Sequence, residues 1–202
     1  MTDLTTPIDQ IIPMVPTTES PAWAQDTNFG LDEENRNHAI AQSLLSGPHN
    51  VLDVIEGKQI IESGSTIAMI VPINTKPTII FYVKLAGLSV ASIRVTQVTV
   101  WRSGSGLTPR GLAKKIFFDL LKRKPVIMSD SMQTQHGAQF WKDRMQEAVS
   151  HNLKVGLVDL GDQKVIDWFD PNIKLFDHWL KERESAWGHE DAHKDFRFLI
   201  SQ

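Results

Sequence analysis

The sequence predicts an α/β protein with one mixed sheet, in which an antiparallel meander of strands is followed by a parallel βαβα unit. Three observations support this fold class. Residues 51–100 contain β-branched and apolar stretches separated by short turn sequences, which is typical of a meander. Residues 96–145 follow the order strand, loop, helix, strand and helix. Residues 154–169 place two strand-like stretches around a glycine turn, which predicts a late hairpin.

The βαβα unit is defined by a change of period along the chain. Thr96–Trp101 alternates β-branched and polar residues as a strand does, and Arg102–Thr108 is rich in serine and glycine, as loops are. Pro109–Lys122 has apolar residues at helical spacing, and its proline suits the first turn of a helix. Val126–Met128 is a short apolar strand, and a second helix follows up to Met145. Because the two strands are joined through a helix, we expect them to be parallel neighbours.

The segment Thr108–Ala113 lies where the first strand of this unit gives way to the first helix. Backbone N–H groups and the positive end of the helix dipole converge at such a place, which favours an anion. Gly111 allows a ligand to approach the backbone, Ala113 keeps the next turn small, and Arg110 adds a cation. We therefore expect a phosphate or pyrophosphate group to bind here.

This arrangement resembles the acyl-CoA-binding core of the GNAT-type N-acetyltransferase superfamily. The family pattern is Arg/Gln-x-x-Gly-x-Gly/Ala, which Gly111 and Ala113 match, whereas Thr108 stands where the family prefers arginine or glutamine. The second helix, Met132–Met145, is similar to a form found in GNAT-like proteins of bacteriophages. The resemblance is close over Thr96–Met145 and looser beyond it.

The resemblance implies an acyl-CoA co-substrate, such as acetyl-CoA, and no metal. The residues that it assigns to cofactor binding are Val100, Arg102, Arg110, Gly111, Leu112, Ala113 and Lys114. Val100 lies in the strand whose backbone N–H groups polarise the thioester carbonyl in the family. The cations of this set are equally suited to phosphate binding and to an exposed helix face.

Acyl transfer to an amine also needs groups that move protons. In many family members the proton acid is a tyrosine on the second helix, but the single tyrosine of this chain is Tyr82, in the meander. Asp130, Ser131 and His136 are therefore the catalytic candidates. Asp130 is equally suited to capping the helix. For His136, a solvated position at the start of the helix is the favoured interpretation.

Several other residues have both a possible catalytic or binding role and a simpler structural explanation. Glu56 and Glu62 are possible bases or exposed carboxylates of the meander. Trp101 and Trp141 are able to stack on a base, but core packing explains them better. Residues 189–193 read His-Glu-Asp-Ala-His, a literal match to a zinc-helix motif, which we interpret as a chance match because it directly follows Gly188 among polar neighbours.

Composition places further limits on function. The 202 residues include no cysteine, which excludes disulfides and a cysteine nucleophile, and the formal net charge of -3 gives no general attraction to nucleic acid. No apolar run is long enough to span a membrane, and the N-terminus lacks the features of a secretory signal. We therefore expect a cytoplasmic protein with no membrane partner. A homodimer is one oligomeric state that the sequence allows.

The domain organisation follows from proline and turn signals. Residues 1–30 are predicted to be an extended, proline-rich arm, residues 31–170 the GNAT-like domain, and residues 171–202 a C-terminal helix and tail packed on it. The expected helices outside the βαβα unit are Leu31–Leu45 and Pro171–Trp187. The expected strands are Val51–Ile61, Thr66–Pro72, Thr78–Leu85, Val90–Trp101, Lys154–Leu160, Lys164–Phe169 and an edge strand Phe196–Ile200. The expected turns are Glu56–Lys58, Ser63–Ser65, Asn74–Pro77, Ala86–Gly87 and Gly161–Gln163.

Three functional hypotheses follow. In the first, the chain is an N-acyltransferase that moves an acetyl or related acyl group from acyl-CoA to an unidentified amine. In the second, it is a catalytically inactive GNAT-fold phage protein that acts as a binding or virion-associated module. In the third, it is a phage DNA-modification protein of the Mom-like type, which would need a basic face for nucleic acid.

Overall fold

A computed structural model gives the structure of the chain and describes residues 29–130, 135–172, 175–187 and 195–202. Most of the expected N-terminal arm therefore lies outside the described residues. Ser131 and the His-Glu-Asp-Ala-His match at residues 189–193 also lie outside them.

The described residues form four α-helices and nine strands. The helices are α1 (Glu34–Ser46), α2 (Leu112–Arg123), α3 (Gln135–Ser150) and α4 (Phe176–Lys181). The strands are β1 (Asn50–Ile55), β2 (Lys58–Ser63), β3 (Thr66–Ile73), β4 (Lys76–Val90), β5 (Ile93–Arg102), β6 (Val126–Ser129), β7 (Lys154–Asp159), β8 (Lys164–Trp168) and β9 (Phe196–Ser201). A short 3₁₀ helix follows α4 at Glu184–Trp187.

All nine strands belong to one mixed sheet in the order β1-β2-β3-β4-β5-β6-β9-β7-β8. Strands β1 to β4 form the expected antiparallel meander, with Ile60 opposite Met69 and Ala68 opposite Tyr82. Strands β5 and β6 are parallel, with Thr96 level with Ile127. The predicted α/β class, mixed sheet and parallel pair are confirmed.

The chain forms two compact units. The first unit contains residues 29–85 and 99–112 and packs α1 against the meander. Its core includes Leu31, Ala41, Ile61, Ala68, Ile79, Tyr82 and Trp101. Alternate residues of the meander strands face this core because side chains of a strand point to opposite faces in turn.

The second unit contains residues 86–98 and the described residues from 113 onward. Helices α2 and α3 contact each other through Phe117, whose ring lies 5.8 Å from that of Phe140 and 5.3 Å from that of Trp141. The stacked rings of Trp187 and Phe198 lie 4.2 Å apart, so the end of the chain is packed into this unit. Large aromatic contacts of this kind contribute much of the apolar area that a core buries.

The turn expected at Ala86–Gly87 is wrong. Strand β4 continues through both residues to Val90, and the chain reverses at Ala91 and Ser92, whose φ angles are +49° and +65°. A two-residue hairpin turn of type I′ requires positive φ at both positions, and glycine or asparagine normally supplies it. Neither glycine nor asparagine is present at Ala91–Ser92. The prediction therefore placed the turn at Gly87, the nearest glycine.

Other boundaries also differ from the prediction. Val51–Ile61 is two strands, β1 and β2, joined at the predicted turn, and α1 begins at Glu34. The described residues of Pro171–Trp187 form the short helix α4 and the 3₁₀ helix, which are separated by a turn at residues 182–183.

The predicted edge strand at the end of the chain is also corrected. Strand β9 lies inside the sheet, with Leu199 opposite both Met128 of β6 and Gly156 of β7. Phe198, Leu199 and Ile200 are consecutive buried apolar residues, which is the pattern of a strand covered on both faces.

Among the described residues, no helix has the length and apolar character that crossing a membrane requires.

Candidate functional site

The parallel pair ends unevenly. Val98 of β5 lies level with Ser129, the last residue of β6, whereas β5 runs on to Arg102. Val100, a predicted cofactor-binding residue, lies in this extension and is half-buried. The backbone of β5 therefore continues past the register that it shares with β6, which is where the resemblance expects a thioester carbonyl to bind.

A bulge in β4 fixes the loop that follows β5. Ile70 pairs with Ile79 and Met69 with Phe81, so Ile80 has no partner on β3. The carbonyl of Ile80 instead accepts hydrogen bonds from the N–H of Ser103 and from the hydroxyl of Thr108, both at 3.0 Å. Thr108 is buried, and its side chain anchors the loop. Thr108 occupies the position where the GNAT pattern prefers arginine or glutamine, and here its side chain makes a structural contact.

The same loop is also attached to the first hairpin of the meander. The ammonium of Lys58 donates to the carbonyl of Leu107 at 2.7 Å and lies 3.2 Å from the carboxylate of Glu56. Glu56, a possible base, therefore pairs with a neighbouring cation. Because the loop is held at both Ile80 and Lys58, its position in the first unit is well defined.

The helix does not begin at Pro109, as the sequence predicted, but at Leu112 after a tight turn. The N–H of Leu112 donates to the carbonyl of Pro109 at 3.3 Å, and Gly111 has a φ of +75°. A type II turn requires positive φ at this position, which accounts for the glycine. A Cβ added to Gly111 would meet no atom of the described residues within 4 Å, so these residues leave the space beside its backbone open.

The predicted cofactor-binding residues differ in how they are placed. Arg110 is exposed, whereas Leu112 and Ala113 are buried and hold the start of α2. Arg102 is half-buried, and its Nη1 finds no hydrogen-bond partner in the part of the chain that the structure describes. The ammonium of Lys114 binds the carboxylate of Glu147 on α3 at 2.7 Å.

Asp130, a predicted catalytic residue, is buried directly after β6. Arg197 of β9 is buried as well, and the register that pairs Met128 with Leu199 brings it level with Asp130. Burial lowers the pKa of Arg197, and the charges of Asp130 and Asp195 act in the opposite direction. Asp130 therefore faces an opposite charge across neighbouring strands.

The other two catalytic candidates are not placed in the same way. Ser131 lies outside the described residues, and His136 lies in the first turn of α3, where the structure describes its backbone only. The structure thus gives an environment for Asp130 alone among the three.

Sequence reasoning missed Arg197 because its strand was expected at the edge of the sheet. The available signal was one arginine within the apolar run Phe196–Ile200, since a charge on a buried strand needs a partner. It also missed two residues of α3 that no motif singled out: Glu147, which binds Lys114, and Arg144, which binds Glu147.

The simpler interpretations of the tryptophans are confirmed. Trp101 belongs to the core of the first unit, and Trp141 is buried beside Phe117 in the second. His38, on α1, is largely buried and contacts the carbonyl of Pro77 at 2.9 Å and Glu34 at 3.2 Å, so it ties α1 to the start of β4.

Within the described residues, no group of three or more His, Cys, Asp or Glu side chains is arranged to hold a metal ion.

The fold defines an α/β protein with a mixed sheet. Comparisons with known proteins add no relative: no family model, curated protein or solved structure matches the chain.

Proposed function

We propose that this chain is a GNAT-like N-acyltransferase, which moves an acetyl or related acyl group from acyl-CoA to an amine. The observation that supports it most is the turn at Gly111. It joins a β5 strand that pairs in parallel with β6 to the start of α2, and the space beside the Gly111 backbone is open. A helix start of this kind favours a diphosphate.

The proposed reaction is the transfer of an acyl group from a thioester to an amine. The nitrogen of the amine attacks the thioester carbonyl carbon, the carbon–sulfur bond breaks, and the thiolate of CoA takes a proton as it leaves. Backbone N–H groups near Val100 would polarise the carbonyl. Asp130, Ser131 and His136 remain the proposed proton carriers, with an acceptor amine still to be identified.

A second candidate function is favoured by the environment of Asp130. A carboxylate buried beside Arg197 is placed for a structural ion pair, and Thr108 has an anchoring role where the family prefers a longer polar side chain. Both features suit a GNAT-fold binding or virion-associated module that holds a ligand without transforming it.

Binding is tested with a matched pair of glycine variants. Gly111 and Gly106 have φ angles of +75° and +71°, and in the part of the chain that the structure describes neither has an atom within 4 Å of an added Cβ. Gly111→Ala and Gly106→Ala therefore introduce similar backbone strain, about 1 kcal/mol each. Only the methyl at residue 111 occupies the space proposed for the diphosphate.

We expect saturating acetyl-CoA to raise the melting temperature of the wild type and of Gly106→Ala by roughly 5 °C, and to leave that of Gly111→Ala unchanged. Equal shifts in all three proteins, or none at millimolar acetyl-CoA, would count against the site. Release of free CoA thiol in the presence of a panel of amines then separates the two candidates. Binding without release for every amine supports the module.

A further inference from the structure

Arg144 of α3 is buried without a full set of partners. The residue is 4% exposed, and its Nε and Nη1 atoms have no hydrogen-bond partner among the described residues. Its Nη2 lies 3.3 Å from the carboxylate of Glu147. Burial lowers the pKa of Arg144, opposed by the charges of Glu147 and Asp143. A guanidinium nevertheless stays protonated in proteins, so these are charged donors that favour an acceptor.

A second cation shares the same carboxylate. Lys114, in the first turn of α2, lies 2.7 Å from Oε1 of Glu147, while Arg144 approaches Oε2. Asp143, the other nearby carboxylate, accepts a hydrogen bond from Gln139 at 2.8 Å. Glu147 is thus the one carboxylate that the described structure places in contact with both cations.

The two cations lie on the neighbouring helices α2 and α3 and differ in exposure. The Lys114 side chain is 41% exposed, whereas Arg144 is buried. Each cation also lies over an aromatic ring, Lys114 5.9 Å from the ring centre of Phe118 and Arg144 5.4 Å from that of Phe140. Burial among apolar rings lowers the local dielectric and strengthens a charged contact made by Arg144.

We infer that Lys114 and Arg144 form a binding site for a phosphate-type oxyanion between helices α2 and α3. A tetrahedral oxyanion accepts several hydrogen bonds, which suits the unpaired donors of Arg144 and the remaining N–H groups of Lys114. The first turn of α2 adds the positive end of the helix dipole. The inference does not depend on acyl transfer, because free phosphate and the phosphates of a nucleotide share this chemistry.

The site is tested in the full chain with inorganic phosphate, pyrophosphate and ADP as probes. Arg144→Met keeps the apolar length of the side chain and removes the charge. Arg123→Met is the control, since Arg123 lies at the other end of α2 and pairs with Asp119 at 3.1 Å. We expect at least one probe to bind the wild type and the control, and to bind Arg144→Met about tenfold more weakly or worse.

A second measurement does not depend on the variant folding. In wild-type protein with ¹⁵N-labelled arginine, the Nε–H signal of Arg144 should shift on addition of the probe that binds. A shift with phosphate alone identifies a free anion, whereas a shift with ADP only identifies a nucleotide phosphate. The inference is overturned if no probe moves that signal at millimolar concentration, or if Arg144→Met binds as tightly as the control.

Discussion

Asn37 shows how one buried side chain connects helix α1 to the sheet. Its amide nitrogen donates to the carbonyls of Leu31 at 2.9 Å and Ile79 at 3.0 Å, and its amide oxygen accepts from the N–H of Ile79 at 2.7 Å. Ile79 borders the bulge that turns the carbonyl of Ile80 towards the loop after β5. Asn37 therefore supports the strand that anchors the candidate site.

Replacing Asn37 with alanine should destabilise the protein by about 3 kcal/mol, because three buried backbone groups lose their partner. Asn35→Ala is the matched control. Asn35 is exposed on the same helix, and its loss should change the free energy of unfolding by less than about 0.5 kcal/mol. Denaturant unfolding of both variants measures the difference. Equal midpoints for the two variants would show that the Asn37 contacts contribute nothing to stability.

The residues of the candidate site were predictable to different extents. Gly111 was predictable because a glycine between a strand and a helix commonly marks a turn with positive φ, and the φ of +75° agrees with that reasoning. Asp130 was predictable because polar residues after a buried strand lie at a sheet edge. Its neighbour Arg197 is 67 positions away in the sequence, and only the order of strands brings the two level. The local sequence pattern does not predict which distant residues become neighbours in this way.

At the scale of elements, periodic segments were predictable and the β4–β5 turn was not. Strand β4 runs through Gly87, which is exposed, because the pairing of β4 within the sheet outweighs the weak preference of glycine for turns. Ala91 and Ser92 then adopt positive φ, a conformation that costs an ordinary residue about 1 kcal/mol. The turn is set by the hairpin that it closes, so its own composition carries no signal.

This strain predicts a stabilising substitution. Ala91→Asn combined with Ser92→Gly supplies the residues that type I′ turns prefer and should raise the free energy of unfolding by about 1 kcal/mol. The same Asn-Gly pair needs a control outside the turn. Ala86→Asn alone already places Asn-Gly at residues 86–87, within β4, and should stabilise nothing. Thermal unfolding of both variants distinguishes the two positions. An increase in stability of Ala86→Asn would contradict the continuous strand at residues 86–87 and support the turn that the sequence predicted there.

For the whole molecule, the decisive feature is the place of β9. Strand β9 pairs with β6 on one side and β7 on the other, so among the described strands β9 connects the hairpin of β7 and β8 to the rest of the sheet. Contacts between residues so distant in sequence are the ones that sequence patterns resolve least. An apolar run such as Phe198–Ile200 predicts a strand but does not say which neighbours it has.

The position of β9 predicts how the sheet responds to proline. Leu199→Pro removes a backbone N–H from a strand that is paired on both sides, and β6 and β7 should lose their common neighbour. Val54→Pro, in strand β1 at the end of the strand order, is the comparison, because the N–H of Val54 is bound by its neighbour Asp53 at 2.7 Å. Hydrogen exchange followed by mass spectrometry should show fast exchange of residues 126–129 and 154–159 in Leu199→Pro. In Val54→Pro, the increase should stay within residues 50–63. Unchanged protection of both residues 126–129 and residues 154–159 in Leu199→Pro would contradict the placement of β9 between β6 and β7.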